Sequence, residues 1–231
     1  MTRKRFWTWF APLVAGDLIG PLLDLKALEY IFKPLLVPAL LLYLYLNTRD
    51  DVSAFVRLVM GGLILSWVGD VVLMFSDRGE LFFAAGLGAF LVAHLLYIAA
   101  YVRSVSRTAG VAFLRRRPLW LLPFGLLFVG IYGLLYPALG AMRVPVLAYT
   151  ATIVLMAVLA LNRWGRVPEA SFRLILWGAL LFILSDAILA IDKFLVTVPH
   201  AGVAVMSTYV AAQYLIVEGG IAQRGAAGGV P

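Results

Sequence analysis

The sequence predicts an all-α membrane protein, a bundle of eight transmembrane helices. Three observations predict it: an apolar excess, the length of the apolar runs, and the placement of the basic residues. Of 231 residues, 63% are hydrophobic and 13% charged, and the mean hydropathy is +0.97. Soluble domains are roughly 45–50% apolar and about 25% charged. A water-facing surface cannot hide that excess, whereas a bilayer accepts it. Within hydrocarbon the backbone must satisfy itself, which leaves helices or a closed barrel. The apolar runs are long and lack period-2 alternation, so helices are expected.

About 20 apolar residues cross the hydrocarbon core. Spans are expected at 6–22, 31–47, 53–75, 81–101, 118–137, 143–162, 171–191 and 199–219. The first follows Arg3, Lys4 and Arg5 and resembles a signal-peptide pattern. Asp17 and Pro21 occupy the place of a cleavage site, so a retained helix is expected. Breakers and charges join the spans, as in Asn47–Asp51, Ser76–Glu80 and Arg163–Glu169. Pro34, Pro118, Pro145 and Pro199 are expected near helix starts, where a missing N–H costs little. Residues 1–224 form one domain in this reading, and 225–231 a disordered tail.

Charge sets the orientation. With the N-terminus inside, the outer segments hold Lys26, Lys33, Arg78, Arg143 and Lys193, and the other fourteen of the 19 basic residues fall inside. The run Arg103–Arg117, with Arg107, Arg115 and Arg116 between, is the strongest single signal. The positive-inside rule then gives N-in and C-in. The net charge of +7 is read as topology, without nucleic-acid partners, and a bacterial cytoplasmic membrane is the expected location. Gly69-Asp70-Val71-Val72-Leu73 resembles Ser185-Asp186-Ala187-Ile188-Leu189 four spans later, which suggests a 4+4 repeat.

Charge inside a span costs ~2.5–3.5 kcal/mol on insertion scales, so it faces protein or water. The residues of interest are Asp17, Asp70, His94, Asp186 and Gln213, with Glu29, Lys33, Asp192, Lys193, His200 and Glu218 nearer the ends. Asp70 is expected roughly 8 Å below the outer end of its helix, with Asp186 at a similar depth. Asp17 and Lys33 lie towards the same side, so one outward-facing polar cavity is expected. Tyr97 follows His94 by three residues on the same helix face. Structural alternatives stand beside this reading. Asp70 or Asp186 is a buried pair with Lys33, Asp17 sits at the interface, and His94 is a packed helix contact. Glu218 anchors a helix end, and the tryptophans line the interface or face lipid.

No phosphate-binding loop, nucleophile elbow or HExxH helix is present, and the two histidines are far apart, so no metal or cofactor is expected. Ser185 beside Asp186 is not a triad, because neighbours on a helix do not face each other. With no cysteine, thiolate and disulfide chemistry are excluded.

Several elements together carry a family resemblance: Lys33-Pro34-Leu35, Gly69-Asp70-Val71-Val72-Leu73-Met74, His94-Leu95-Leu96-Tyr97, Ser185-Asp186, and Tyr209 with Gln213. In order and placement, and over nearly the whole chain, the sequence resembles the YhhN/TMEM86 family, whose characterised members are lysoplasmalogenases. The resemblance implies hydrolysis of the vinyl ether bond of a lysoplasmalogen, with a lysophospholipid substrate and membrane lipids as partners. It implies functional positions at Lys33, Asp70, His94, Tyr97 and Asp186. The expected roles are Asp70 and Asp186 as an acid–carboxylate pair and His94 or Tyr97 orienting water or moving the proton. Lys33 is expected to hold the phosphate, with Asp17, Tyr209 and Gln213 contacting substrate. Two other functions fit the same residues: a proton-coupled transporter or lipid flippase, and a hydrolase of another lysolipid. The oligomeric state is left open.

Overall fold

A computed structural model describes residues 1–23, 25–50, 52–105 and 112–225. Arg107, the side chain of Arg224 and the tail 226–231 lie outside the described residues. Among the described residues there are nine α-helices and no strand. They are α1 (Arg3–Leu22), α2 (Lys26–Thr48), α3 (Ala54–Leu73), α4 (Glu80–Val105), the single turn α5 (Phe113–Arg116), α6 (Leu122–Leu135), α7 (Arg143–Leu161), α8 (Glu169–Phe194) and α9 (Ala201–Gly225). Short 3-10 turns extend α6 at both ends. Seven of the described helices are long and apolar enough to cross a membrane, those from α2 to α4 and from α6 to α9. The protein is therefore a multi-pass integral membrane protein. The expected eighth, α1, is 20 residues long and packs on α2 and α9. The bases of its first turn, together with Pro12, Asp17 and Pro21, keep it below that apolar threshold.

Local chemistry sets the helix starts. The Thr2 hydroxyl accepts from Arg5 N and the Ser53 hydroxyl from Val56 N, satisfying first-turn donors. Helix α2 begins at Lys26 rather than at residue 31, so Pro34 lies inside it, as does Pro38. A proline withholds the N–H that its i−4 carbonyl needs. Pro38 thereby frees the Pro34 carbonyl, and the Trp67 indole N–H donates to it at 2.9 Å. Trp67 thus repairs a backbone defect as well as lying on the outer surface of the bundle.

The most extensive helix pairs are α3 with α4 and α8 with α9. Both use small residues at the seam, which let backbones approach in hydrocarbon. Gly62 receives the Tyr97 ring and Gly69 the Phe90 ring, while Gly178 lies against the Ala212 carbonyl of α9.

The N-terminus and the last turn of α9 lie at one end of the bundle, the terminal end. The Met1 amino group donates to Asn47 Oδ1, and Arg3 reaches Tyr214 of α9. Glu218 accepts there from Tyr43 and Tyr214, at 3.0 and 2.6 Å, and so ties α2 to α9. Arg163 is enclosed at this end. It is wholly buried and donates to Ser104, Ser171 and Gln223. It also lies over the Phe55 and Tyr101 rings. Burial lowers its pKa to about 10, so it remains a cation at neutral pH, held by neutral oxygens and ring faces.

A methyl group at Gly178 would lie 2.9 Å from the Ala212 carbonyl oxygen and 2.9 Å from Ile216 Cγ1. Gly178→Ala is expected to destabilise the protein by about 1–3 kcal/mol, read as a lower thermal unfolding midpoint in detergent. Gly88, which has open space around it, is the control: Gly88→Ala should leave the midpoint unchanged or slightly raised.

Candidate active site

At the end opposite the termini the bundle opens into a cavity of about 500 Å³. Residues of α2, α3, α4, α6, α7, α8 and α9 line it. Its polar wall carries Glu29, Lys33, Asp70, Tyr149, Asp186, Asp192 and Tyr209, and its apolar wall includes Phe83, Leu87, Phe90, Ile131, Leu135 and Ile153.

The two central carboxylates are held alike. Tyr209 of α9 donates to Asp70 Oδ2 at 2.7 Å, and Tyr149 of α7 donates to Asp186 Oδ2. Each bond crosses a helix seam, and among the described residues no protein donor meets the Oδ1 of either carboxylate. Behind Tyr209 the hydrogen bonds continue. Gln213 Nε2 donates to the Tyr209 hydroxyl at 3.2 Å, and Gln213 Oε1 accepts from Tyr97 at 2.8 Å. A relay from α4 through α9 to α3 therefore fixes the orientation of Asp70, and all its members are buried.

Lys33, Asp70, Asp186 and Tyr209, all expected from the sequence, line the one cavity. Lys33 lies about two turns inside α2 rather than at its start, and it interacts through space with Asp70 and Asp17. Asp70 and Asp186 lie at different distances from the ends of their helices. Asp70 is one turn from the end of α3, which stops at Leu73, whereas α8 runs on to Phe194 past Asp186. The distances to the helix ends are roughly 4–5 Å and about 12 Å. The 3-10 turn Ser76–Arg78, tied to α2 by the Lys26–Asp77 ion pair, extends the wall above Asp70.

Three expected residues stand away from the cavity. Tyr97 and Gln213 are the rear of the relay. His94 is wholly buried, its ring 4.7 Å from Phe182 and 5.4 Å from Tyr149. Neither His94 ring nitrogen meets a partner among the described residues. Three residues of helix bring His94 and Tyr97 to within roughly 60° of each other, yet their partners differ: His94 packs on Tyr149 of α7 and Phe182 of α8, and Tyr97 on Gly62 of α3 and Gln213 of α9. Asp17 lines a smaller chamber of about 130 Å³ that shares Glu29, Lys33 and Asp192 with the main cavity. Ser185 donates to the Val205 carbonyl at 3.1 Å, which makes it a helix contact between α8 and α9.

Tyr149 was not singled out by sequence. It lies in the apolar run of α7, where a tyrosine reads as core. The available signal was that a buried phenol needs a partner and Asp186 needs a donor. No group of three acidic or histidine side chains among the described residues is placed to hold a metal ion.

The fold and this site define a polytopic membrane protein with two tyrosine-held carboxylates facing one cavity. Its sequence matches the YhhN family over residues 28–220, and the chain belongs to that family. It is 36% identical to lysoplasmalogenase TMEM86A of Bos taurus over 177 residues, which cover 71% of this chain and 65% of the bovine one. It is 36% identical to lysoplasmalogenase TMEM86B of Homo sapiens over 180 residues, 78% of this chain and 70% of that protein. It is 33% identical to TMEM86B of Rattus norvegicus over 213 residues, 90% of this chain and 82% of that protein. No solved structure matches.

Tyr97→Phe would strand the buried Gln213 Oε1, at a cost of about 1–3 kcal/mol. A double-mutant cycle with Gln213→Leu, read by thermal unfolding in detergent, should be non-additive. Additive losses would show that the two side chains are not coupled.

Proposed function

We propose that this chain is an integral membrane lysoplasmalogenase, hydrolysing the vinyl ether bond of a lysoplasmalogen to a fatty aldehyde and a glycerophospho-headgroup. The observation that carries this reading is the shared cavity of Asp70 and Asp186 in a member of this family. The names of the relatives supply the bond.

A vinyl ether is acid-labile because a proton on its β-carbon leaves a resonance-stabilised oxocarbenium ion. One carboxyl of the pair donates that proton. The other, ionised, faces the cation and takes a proton from the water that attacks the carbon bonded to oxygen. The second carboxyl then returns its proton to the glycerol oxygen as the hemiacetal's bond to that oxygen breaks, while the first takes the hydroxyl proton, giving the aldehyde and the alcohol of the glycerol and restoring the pair. Two carboxyl groups in one low-dielectric cavity divide acid and base work in this way, as in glycoside hydrolysis, which passes through a similar cation. Tyr209 and Tyr149 hold the pair in place. Tyr97 and Gln213 position Tyr209, and His94 packs against Tyr149 from behind, so these three act through others. Lys33 holds the phosphate as a point charge. The hydrocarbon chain lies along Phe83, Leu87, Ile131 and Leu135.

In this reading α1 is an eighth span, with both termini cytoplasmic in a bacterial inner membrane. The bases at the terminal end support that orientation. Two four-span halves are supported by matching neighbours: α3–α4 corresponds to α8–α9, and α4–α7 corresponds to α9–α2. The filled terminal end favours a hydrolase over a carrier, because a carrier needs access from both sides.

Asp70→Asn and Asp186→Asn should each lower kcat for aldehyde release by about 10²-fold or more, measured by mass spectrometry on purified, folded protein. Full turnover by either variant would remove the pair from the chemistry. Lys33→Met should act chiefly on KM, raising it about tenfold. Reporter fusions at the two termini should both read cytoplasmic, and opposite readings would remove α1 from the spans.

A further inference from the structure

We infer that the small chamber beside the main cavity is a subsite for the ammonium group of a zwitterionic lysolipid headgroup, with Asp17 as its anchor. The inference rests on the reading that the main cavity takes a lysophospholipid.

The chamber of about 130 Å³ is bounded by α1, α2, α8 and α9 and carries Asp17, Glu29, Asp192 and Lys33. Asp17 is 1% exposed, and neither of its carboxylate oxygens meets a donor among the described residues. A buried carboxylate left in that state is costly unless it takes up a proton or a cation arrives. Lys33 is the cation of the chamber lining. It interacts with Asp17 and Asp70 alike and forms no ion pair with either among the described residues. Asp192 holds the Val198 N–H through Oδ1, and Glu29 lines both spaces. The lining thus carries three acidic side chains and one lysine.

The shape of the lining indicates the kind of cation. No three acidic side chains among the described residues are placed to grip a metal ion. Dispersed carboxylates around an open volume, with apolar Pro21, Leu189 and Met206 between them, suit an organic ammonium. Its place relative to Lys33 also fits. Lys33 stands on both the main cavity and the chamber. A phosphate held there projects its esterified amino alcohol, a two-carbon arm, into the chamber, while the ether bond stays in the main cavity with Asp70 and Asp186. The headgroup is thus read by charge in sequence, a cation for the phosphate and then anions for the amine.

The test uses saturated 1-O-alkyl lysolipids, which have no vinyl ether to protonate. Detergent-solubilised full chain is titrated with lipids bearing phosphoethanolamine, phosphocholine or phosphoglycerol, the last having the same phosphodiester charge and no amine. Wild type should bind the two amine lipids about tenfold more tightly than the phosphoglycerol lipid. Asp17→Asn should bring that ratio towards one, and Glu29→Gln, on the half-buried rim, does the same if the Asp17 variant does not fold. Loss of the preference in either folded variant supports the subsite. Equal wild-type affinities, or a preference kept by the folded variants, overturn it. Binding is read without cleavage, so a protein that shows the preference but makes no aldehyde from a vinyl ether lipid would count against the hydrolytic reading alone.

Discussion

Two carboxylates inside a lipid-embedded bundle each take a phenol donor across a helix seam, and the far half of this protein is arranged around those two bonds. Asp70 and Asp186 stand on α3 and α8, and each takes its phenol from a different helix. Both bonds therefore fix the spacing of helices as well as the direction of a side chain. The glycine-lined seams make this geometry reachable, because Gly62 and Gly69 let Tyr97 and Phe90 come close to α3. Substituting either seam would disturb the relay before it touched a carboxylate.

The two ends of the molecule surround their charges differently. At the terminal end Arg163 meets three side-chain oxygens and two ring faces, although its Nη1 has no hydrogen-bond partner among the described residues, and Glu218 accepts from two phenols. At the far end Asp17 meets no donor among the described residues, and Asp70 and Asp186 border open volume. Acidic side chains around open volume are expected where a site must receive a ligand.

The sequence made one half of this legible. A charge within an apolar run is conspicuous because so few occur, so Asp17, Asp70 and Asp186 stood out. The apolar runs placed seven membrane-crossing helices, although α2 started earlier than its hydropathy suggested, because Lys26 and Glu29 read as loop. What stayed hidden was set by three-dimensional phase. Tyr149 is ordinary in an apolar helix until Asp186 is seen beside it. His94 and Tyr97 are neighbours by spacing yet face different partners. Arg163 read as a loop base, and only the convergence of α4, α8 and α9 shows that it is enclosed.

The filled terminal end has a consequence for where the reactants come from. In the proposed orientation, with Arg163 and Glu218 enclosed at the other end, the hollow opens on a single aqueous compartment. Under the proposed reaction, the water consumed, the proton borrowed and the soluble product all exchange with that one side. The enzyme would then respond to the acidity of the medium at its mouth and be indifferent to the medium at its sealed base, a vectorial property of a protein that moves nothing across the membrane.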